Sequence, residues 1–283
     1  MTVPHRASKH RHPSISTAAR YVNYWSKTQG RSPPALPRRV ILVFGPRLQE
    51  HVRKNHRGVP RSILRIAPEM YVTGTGPGSV GVYFVRGVGG PQIAIDIEDL
   101  AELGVRDFLL LGLAGSLQPE VAPGSIVLCR RALRDEGTSH HYARSARFAR
   151  PSSSLTRHLR EFLRKERVPF AEGPSWTTDA FYRETAPELR AYRREGILTV
   201  EMEAATLFTV ARYRGCRAAA LFVVSDVLSD RGWRPKFVRS RNRLEDVLDL
   251  GVAAMRAEDH LSRSKGRVPS PKKGTRRAPV RSK

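Results

Sequence analysis

Two acidic segments in this sequence stand where an apolar run ends. Ile197-Leu198-Thr199-Val200 leads into Glu201-Met202-Glu203, and Ala204-Ala205 then opens a helical stretch. Glu203 in a first helical turn would complement the helix dipole. Alternatively its carboxylate, with Met202 beside it, is placed to accept hydrogen bonds from two neighbouring sugar hydroxyls. A second apolar run, Ala218 to Val224, ends on Ser225-Asp226. Asp226 there is either a helix N-cap or a proton donor, since a carboxyl against an apolar wall resists ionisation. Two glycine-rich segments occupy matching positions: Gly87-Val88-Gly89-Gly90-Pro91 and Gly112-Leu113-Ala114-Gly115. Glycines allow positive φ and close backbone approach, and a helix N-terminus offers N–H groups to a polar or anionic ligand. A plain tight turn would leave the same pattern.

These residues need a scaffold that delivers strand ends to one place. Val40 to Phe44, ending at Gly45, reads as a buried strand, and Val82 to Val85 as a second. Further strands are expected at Phe108–Leu111, Ser125–Arg131, Ile197–Glu201 and Ala218–Val224. Ile93, Ile97, Leu100 and Leu103 keep helical spacing, a helix is expected from Glu203 to Arg214, and a long one from Pro235 to Asp259. Alternating strands and helices predict an α/β layered domain, in which ligands bind beyond the carboxyl ends of the strands.

Charge divides the chain into a core and two ends. Of 283 residues, 50 are Lys or Arg and 26 Asp or Glu, a net charge of +24. Residues 1–49 and 261–283 each hold nine basic residues and no acid, so residues 50–260 carry a net charge of only +6. We expect a basic, mobile extension over residues 1–38 with a short helix near Thr17–Ser26, a folded domain over 39–260, and a basic disordered tail over 261–283. The 40% hydrophobic content excludes wholesale disorder. Cys129 and Cys216 have no paired spacing, so neither a disulfide framework nor a zinc knuckle is expected. No apolar run is long enough to span a bilayer, and a cytoplasmic location is expected. The Arg- and Ser-containing N-terminus would also suit organelle targeting.

In this order the segments resemble the nucleoside phosphorylase family, which comprises hexameric purine nucleoside phosphorylases, uridine phosphorylases and methylthioadenosine/S-adenosylhomocysteine nucleosidases. The resemblance covers roughly residues 39–260. It also rests on Glu98 to Arg106, Gly137-Thr138-Ser139-His140-His141 and Thr178-Asp179-Ala180-Phe181-Tyr182. It implies a three-layer α/β sandwich with a central mixed sheet, and an enzyme that cleaves the N-glycosidic bond of a purine or related nucleoside. By the same resemblance Glu203 and Met202 hold the ribose, Phe181 packs on the base, and Asp226 after Ser225 meets N7 of a purine. Gly89, Gly90, Ala114 and Gly115 line the substrate site. Uridine phosphorylases read uracil with a Gln and an Arg just beyond the aromatic pair. Arg183-Glu184-Thr185-Ala186-Pro187 supplies neither at that spacing, which favours purine. No cofactor and no metal are implied, His140-His141 lacking a third ligand. A homo-oligomer, dimer or hexamer, is implied as well.

The nucleophile divides the sequence from its family. Phosphorylases of this type carry an Arg and a Ser or Thr where this chain has Leu110 and Leu113. The early anion loop survives only as Gly45 with a displaced Arg47, and Arg61, Arg65 or Arg86 would have to compensate. Phosphate is therefore one expected co-substrate and water the other, with Glu50, five residues beyond Gly45, the candidate base. The competing class is a degenerate phosphorylase fold that binds nucleosides or nucleic acid. The basic ends should bind polyanions weakly by counterion release. Retention on heparin is expected to fall steeply with salt and on removal of residues 1–38 and 261–283; equal retention of the trimmed domain would exclude the ends as the contact.

Overall fold

Apolar strands that are buried on both faces need helices on both sides, and this chain supplies them. The structure, a computed structural model, describes residues 3–6, 8–61, 70–230 and 232–265. Its strands are β1 (Arg39–Phe44), β2 (Val59–Arg61), β3 (Met70–Thr73), β4 (Val80–Val85), β5 (Asp107–Ser116) and β6 (Ile126–Asp135). They continue with β7 (Phe148–Ala149), β8 (Ala171–Thr178), β9 (Thr199–Glu201), β10 (Arg217–Ser229) and β11 (Gly232–Pro235). The helices are α1 (Ala18–Gln29), α2 (Pro46–Asn55), α3 (Gly90–Glu102), α4 (Ser153–Lys165), α5 (Ala186–Arg194), α6 (Ala204–Tyr213) and α7 (Phe237–Lys265).

Side chains alternate between the two faces of each strand, and here both faces are apolar. Val40 and Leu42 of β1 pack with Ile93 and Ile97 of α3 and Leu207 of α6. Ile41 and Val43 pack on the other side with Leu48 and Val52 of α2 and Leu248 of α7. The result is a three-layer sandwich around a mixed sheet, ordered β11-β10-β6-β8-β9-β5-β1-β4-β3-β2. β10 also pairs with β5 in parallel, so β5, β9, β8, β6 and β10 form a closed circuit. That closure brings the ends of β5, β9 and β10 together.

Three expectations shift. The strand expected to end at Leu111 runs on to Ser116, because Gly112 to Gly115 pair with β10 and Gly115 with β9. The last helix begins at Phe237 rather than Pro235, since Gly232–Pro235 pair antiparallel with β10. The short helix expected near Thr17–Ser26 in the basic extension runs from Ala18 to Gln29. Thr17 accepts a hydrogen bond from Arg20 N at its start, Gly30 closes it at φ 61°, and Val22 packs into the core. Residues 266–283 of the expected tail lie outside the described residues. Among the described residues no helix is long and apolar enough to cross a membrane.

At the end of the sheet remote from Asp226, charge is buried in a network. Asp107 Oδ1 accepts from Arg217 Nε at 2.7 Å, and Glu258 on α7 accepts from both terminal nitrogens of Arg217. Arg39 Nε lies 3.5 Å from Glu258 and 4.0 Å from Asp107. Removing one member strands the others in low dielectric. Asp107→Ala is expected to lower unfolding stability by about 3–5 kcal/mol in urea titrations; a loss below about 1 kcal/mol would show that the network is dispensable.

Candidate functional site

The pleat and the turns decide which residues reach the cavity. β4 ends in a turn whose Gly89 adopts φ 86°, so its N–H can face α6 across the sheet end. That N–H donates to Glu203 Oε1 at 2.6 Å, and Met202 N–H donates to Oε2 at 3.2 Å. Glu201 does a different job. Its Oε1 accepts from Thr177 at 2.6 Å and Ser175 at 3.2 Å, and its Oε2 from the N–H groups of Glu203 and Ala204 at 2.9 and 2.7 Å. Glu201 thus caps α6 and fixes the backbone from which Glu203 projects. Burial, then the Glu203 charge, push Glu201 up to about 7 against the pull of its donors. Burial also raises Glu203, opposed by the Gly89 and Met202 amides.

Asp226 is set by a bulge. The β10–β5 register slips between Val224 and Asp226, leaving Ser225 as the extra residue. Ser225 Oγ donates to Asp226 Oδ1 at 2.6 Å, and Trp233 Nε1 on the β10–β11 hairpin donates to Oδ2 at 2.7 Å. Gly115 makes room, since a Cβ there would come within 2.9 Å of Asp226 Oδ2 and 2.6 Å of Leu228 Cδ1. Phe181 stands edge-on to Trp233, with ring centroids 5.9 Å apart.

These groups share one cavity of about 700 Å³. Phe181, Met202, Glu203, Ser225, Asp226, Ala114 and Gly115 line it, as do Gly45 and Arg47. Most of the residues singled out in the sequence are therefore brought together. Neither Gly89 nor Gly90 lines the cavity: the Gly89 amide is bonded to Glu203, and Gly90 is turned towards α6, where a Cβ would lie 2.7 Å from Thr206 Oγ1. Arg47 is held by α7, its Nε 2.6 Å from Glu245 and its terminal nitrogen 2.8 Å from Asn242. A second hollow of about 710 Å³, lined by Pro123, Ser125, Phe170 and Arg243 among others, gathers none of those residues.

Glu50 does not reach the cavity. It lies on the outer face of α2, paired with Arg53 and Lys54 at 2.7 and 3.0 Å, and those cations hold its carboxyl down at about 2. The water-activating role expected of Glu50 therefore has no support in its position. Arg61 is exposed on β2, Arg86 is exposed beyond β4, and Arg65 lies outside the described residues. His140 and His141 meet the N-terminal segment. His141 Nδ1 is 2.8 Å from Lys9 Nζ, and the His140 carbonyl is 2.9 Å from His10 Nε2.

Sequence reasoning missed Glu184, Trp233 and Arg241. Glu184 lines the cavity just beyond the aromatic pair, and burial followed by the Asp226 charge pushes it up to about 7. Arg241 lines the cavity from α7. Gly232 within a polar turn was the one available sign of the hairpin that carries Trp233. Around Leu110 and Leu113 the cavity wall is apolar, continued by Phe44, Phe222 and Leu244.

A sequence profile of the phosphorylase superfamily matches residues 38–256. The chain belongs to the phosphorylase superfamily. Among its relatives, guanosine phosphorylase of Halorubrum lacusprofundi is 35% identical over 138 residues, covering 49% of this chain and 57% of that protein. Uridine phosphorylase of Thermococcus kodakarensis is 34% identical over 151 residues, covering 49% of this chain and 54% of its own length. Uridine phosphorylase of Treponema pallidum is 33% identical over 196 residues, covering 65% and 76%. The chain thus spans little more than half the length of the first two. A solved uridine phosphorylase from Vibrio fischeri ES114 shares the superfamily fold, with a TM-score of 0.66 at 24% identity over 79% of this chain and 92% of that one.

Exchange of the two glutamates separates the carboxylate that holds the α6 backbone from the one that faces the cavity. Glu201→Gln turns an amide NH2 towards groups that donate, and is expected to cost about 1–3 kcal/mol in urea unfolding; Glu203→Gln should cost less. The folded Glu201 value lies above the unfolded one, so its contribution is full below about 4.5 and lost as pH rises through about 7. The fall in urea midpoint from pH 5 to pH 8 should therefore be smaller in Glu201→Gln than in wild type. An unchanged fall would remove Glu201 from the pH dependence.

Proposed function

We propose that this member of the superfamily cleaves the N-glycosidic bond of a purine nucleoside, with inorganic phosphate as the attacking group. The observation that supports this reading most is the Glu203 carboxylate, held 2.6 Å from the Gly89 amide on the cavity shared with Phe181 and Asp226. A carboxylate pinned by backbone donors keeps lone pairs for a sugar diol, and its charge favours the positive charge that grows at C1′. Phe181 offers the base an aromatic edge or face. As the C1′–N9 bond breaks, its electron pair moves onto the purine, N7 takes a proton, and a phosphate oxygen bonds to C1′.

Asp226 and Glu184 divide the acid work. Asp226 is oriented by Ser225 and Trp233, which fixes where it meets the base. Glu184, protonated below about 7 because of burial and the nearby Asp226 charge, holds the proton that the leaving purine requires. At the other end, phosphate would meet the N-terminus of α2 and the cations of Arg47 and Arg241. Leu110 and Leu113 contribute no donors there, each missing charged hydrogen bond being worth about 1.5–3 kcal/mol. Weak phosphate saturation is the consequence.

Three outcomes test the reading. Ribose 1-phosphate should form from a purine nucleoside only when phosphate is present, with saturation in the millimolar range or above; free ribose with and without phosphate would establish hydrolysis instead. Asp226→Asn should lower turnover by on the order of 100-fold. In wild type kcat/KM should fall as pH rises through about 7, and Glu184→Gln should abolish that limb; a limb retained in Glu184→Gln would assign it to another group.

A further inference from the structure

Further along α2 and α7, which line the cavity through Arg47 and Arg241, two imidazoles and a carboxylate converge. His51 on α2 and His56 at its C-terminal cap each place Nε2 2.6 Å from Asp249 Oδ1 on α7. The three donor atoms lie within 4.8 Å of one another. Both imidazoles are largely buried, with side-chain exposures of 12% and 14%, whereas Asp249 is 47% exposed, so one side of the cluster opens to water. Two nitrogens and one carboxylate oxygen with an open side make the donor set of a three-ligand zinc site, where water fills the fourth position.

We propose that His51, His56 and Asp249 bind a divalent transition-metal ion of the zinc class. Asn55 supplies the outer contact that such a site uses. Its amide nitrogen lies 3.0 Å from His51 Nδ1, and an amide turned end for end presents Oδ1 to an Nδ1–H donor, leaving the Nε2 lone pair facing the metal. Zinc bonds of about 2.0 Å at tetrahedral angles separate neighbouring ligand atoms by about 3.3 Å. Each Nε2–Oδ1 separation would therefore lengthen by about 0.7 Å on metal binding. Glu245, one turn earlier on α7, lies 3.9 Å from His51 Nδ1 but is held by Arg47, so it stands outside the ligand set. The metal would tie α2 to α7, and both helices line the cavity through Arg47 and Arg241.

The full chain, stripped with chelator and titrated with zinc by calorimetry, tests this directly. Expected are one zinc per chain lost with the site, a micromolar or tighter Kd, and a rise in Tm of about 5 °C or more at about a hundredfold excess over Kd. His51→Ala/His56→Ala and, separately, Asp249→Asn should each weaken that binding at least about tenfold. The Asp249→Asn variant retains a side chain that can hydrogen-bond, so it separates metal loss from loss of fold, which far-UV circular dichroism monitors. Absence of zinc binding by the wild type, or binding unchanged in both variants, would overturn the proposal and leave a metal-free His–Asp–His clamp.

Discussion

The hydrogen bond from the Gly89 amide to Glu203 joins the two halves of this site. Gly89 ends the β4 turn and opens α3, whereas Glu203 lies two residues beyond β9 and opens α6, 114 residues further along the chain. Burial makes the bond worth keeping, because a carboxylate withdrawn from water without donors carries a penalty of several kcal/mol. The turn can offer its N–H only at positive φ, which is why glycine stands there. Glu201 supports the arrangement from beneath by fixing the first backbone amides of α6. The cavity-facing carboxylate is thus held in one orientation by the backbone, so the proposed ligand would meet a preset acceptor.

The opposite end of the cavity is built differently. Donors surround Glu203 and Asp226, but Phe44, Leu110, Leu113, Phe222 and Leu244 form an apolar wall where an anion would have to sit. The cations nearest that wall lie on α2 and α7, and Arg47 is already engaged by Glu245 and Asn242. A dianion would compete with those partners for Arg47. Under the proposed reaction, the contact between α2 and α7 would set how free Arg47 is to meet an anion. The histidine cluster lies on that same helix pair.

Sequence located the central strands well, because continuous apolar runs mark strands that are buried on both faces. Glu203, Asp226, Phe181, Ala114 and Gly115 all line one cavity. Glu50 fails for a reason also written in the sequence. Leu48 and Val52, four apart, define the buried face of α2, and Glu50 halfway between them must point outward. Gly112 to Gly115 read as a closing loop, yet their backbone groups pair across a closed circuit of strands, a long-range fact that local composition does not contain. Trp233, Glu184 and Arg241 reach the site through a hairpin, a short loop and a long helix, whose placement depends on packing. Leu110 and Leu113 were legible as departures from the family pattern, and their apolar surroundings extend that departure to a whole wall.

In the proposed function Glu203, preset by the Gly89 amide, recognises the sugar diol of a purine nucleoside. Calorimetric affinity for a purine riboside against its 2′,3′-dideoxy analogue tests it without requiring turnover. Loss of two hydrogen bonds to a charged acceptor predicts weakening of about 100-fold or more for the analogue in wild type. The difference should largely vanish in Glu203→Gln. Equal affinity of the wild-type protein for the two compounds would contradict the account, because the carboxylate would then be holding something other than a ribose.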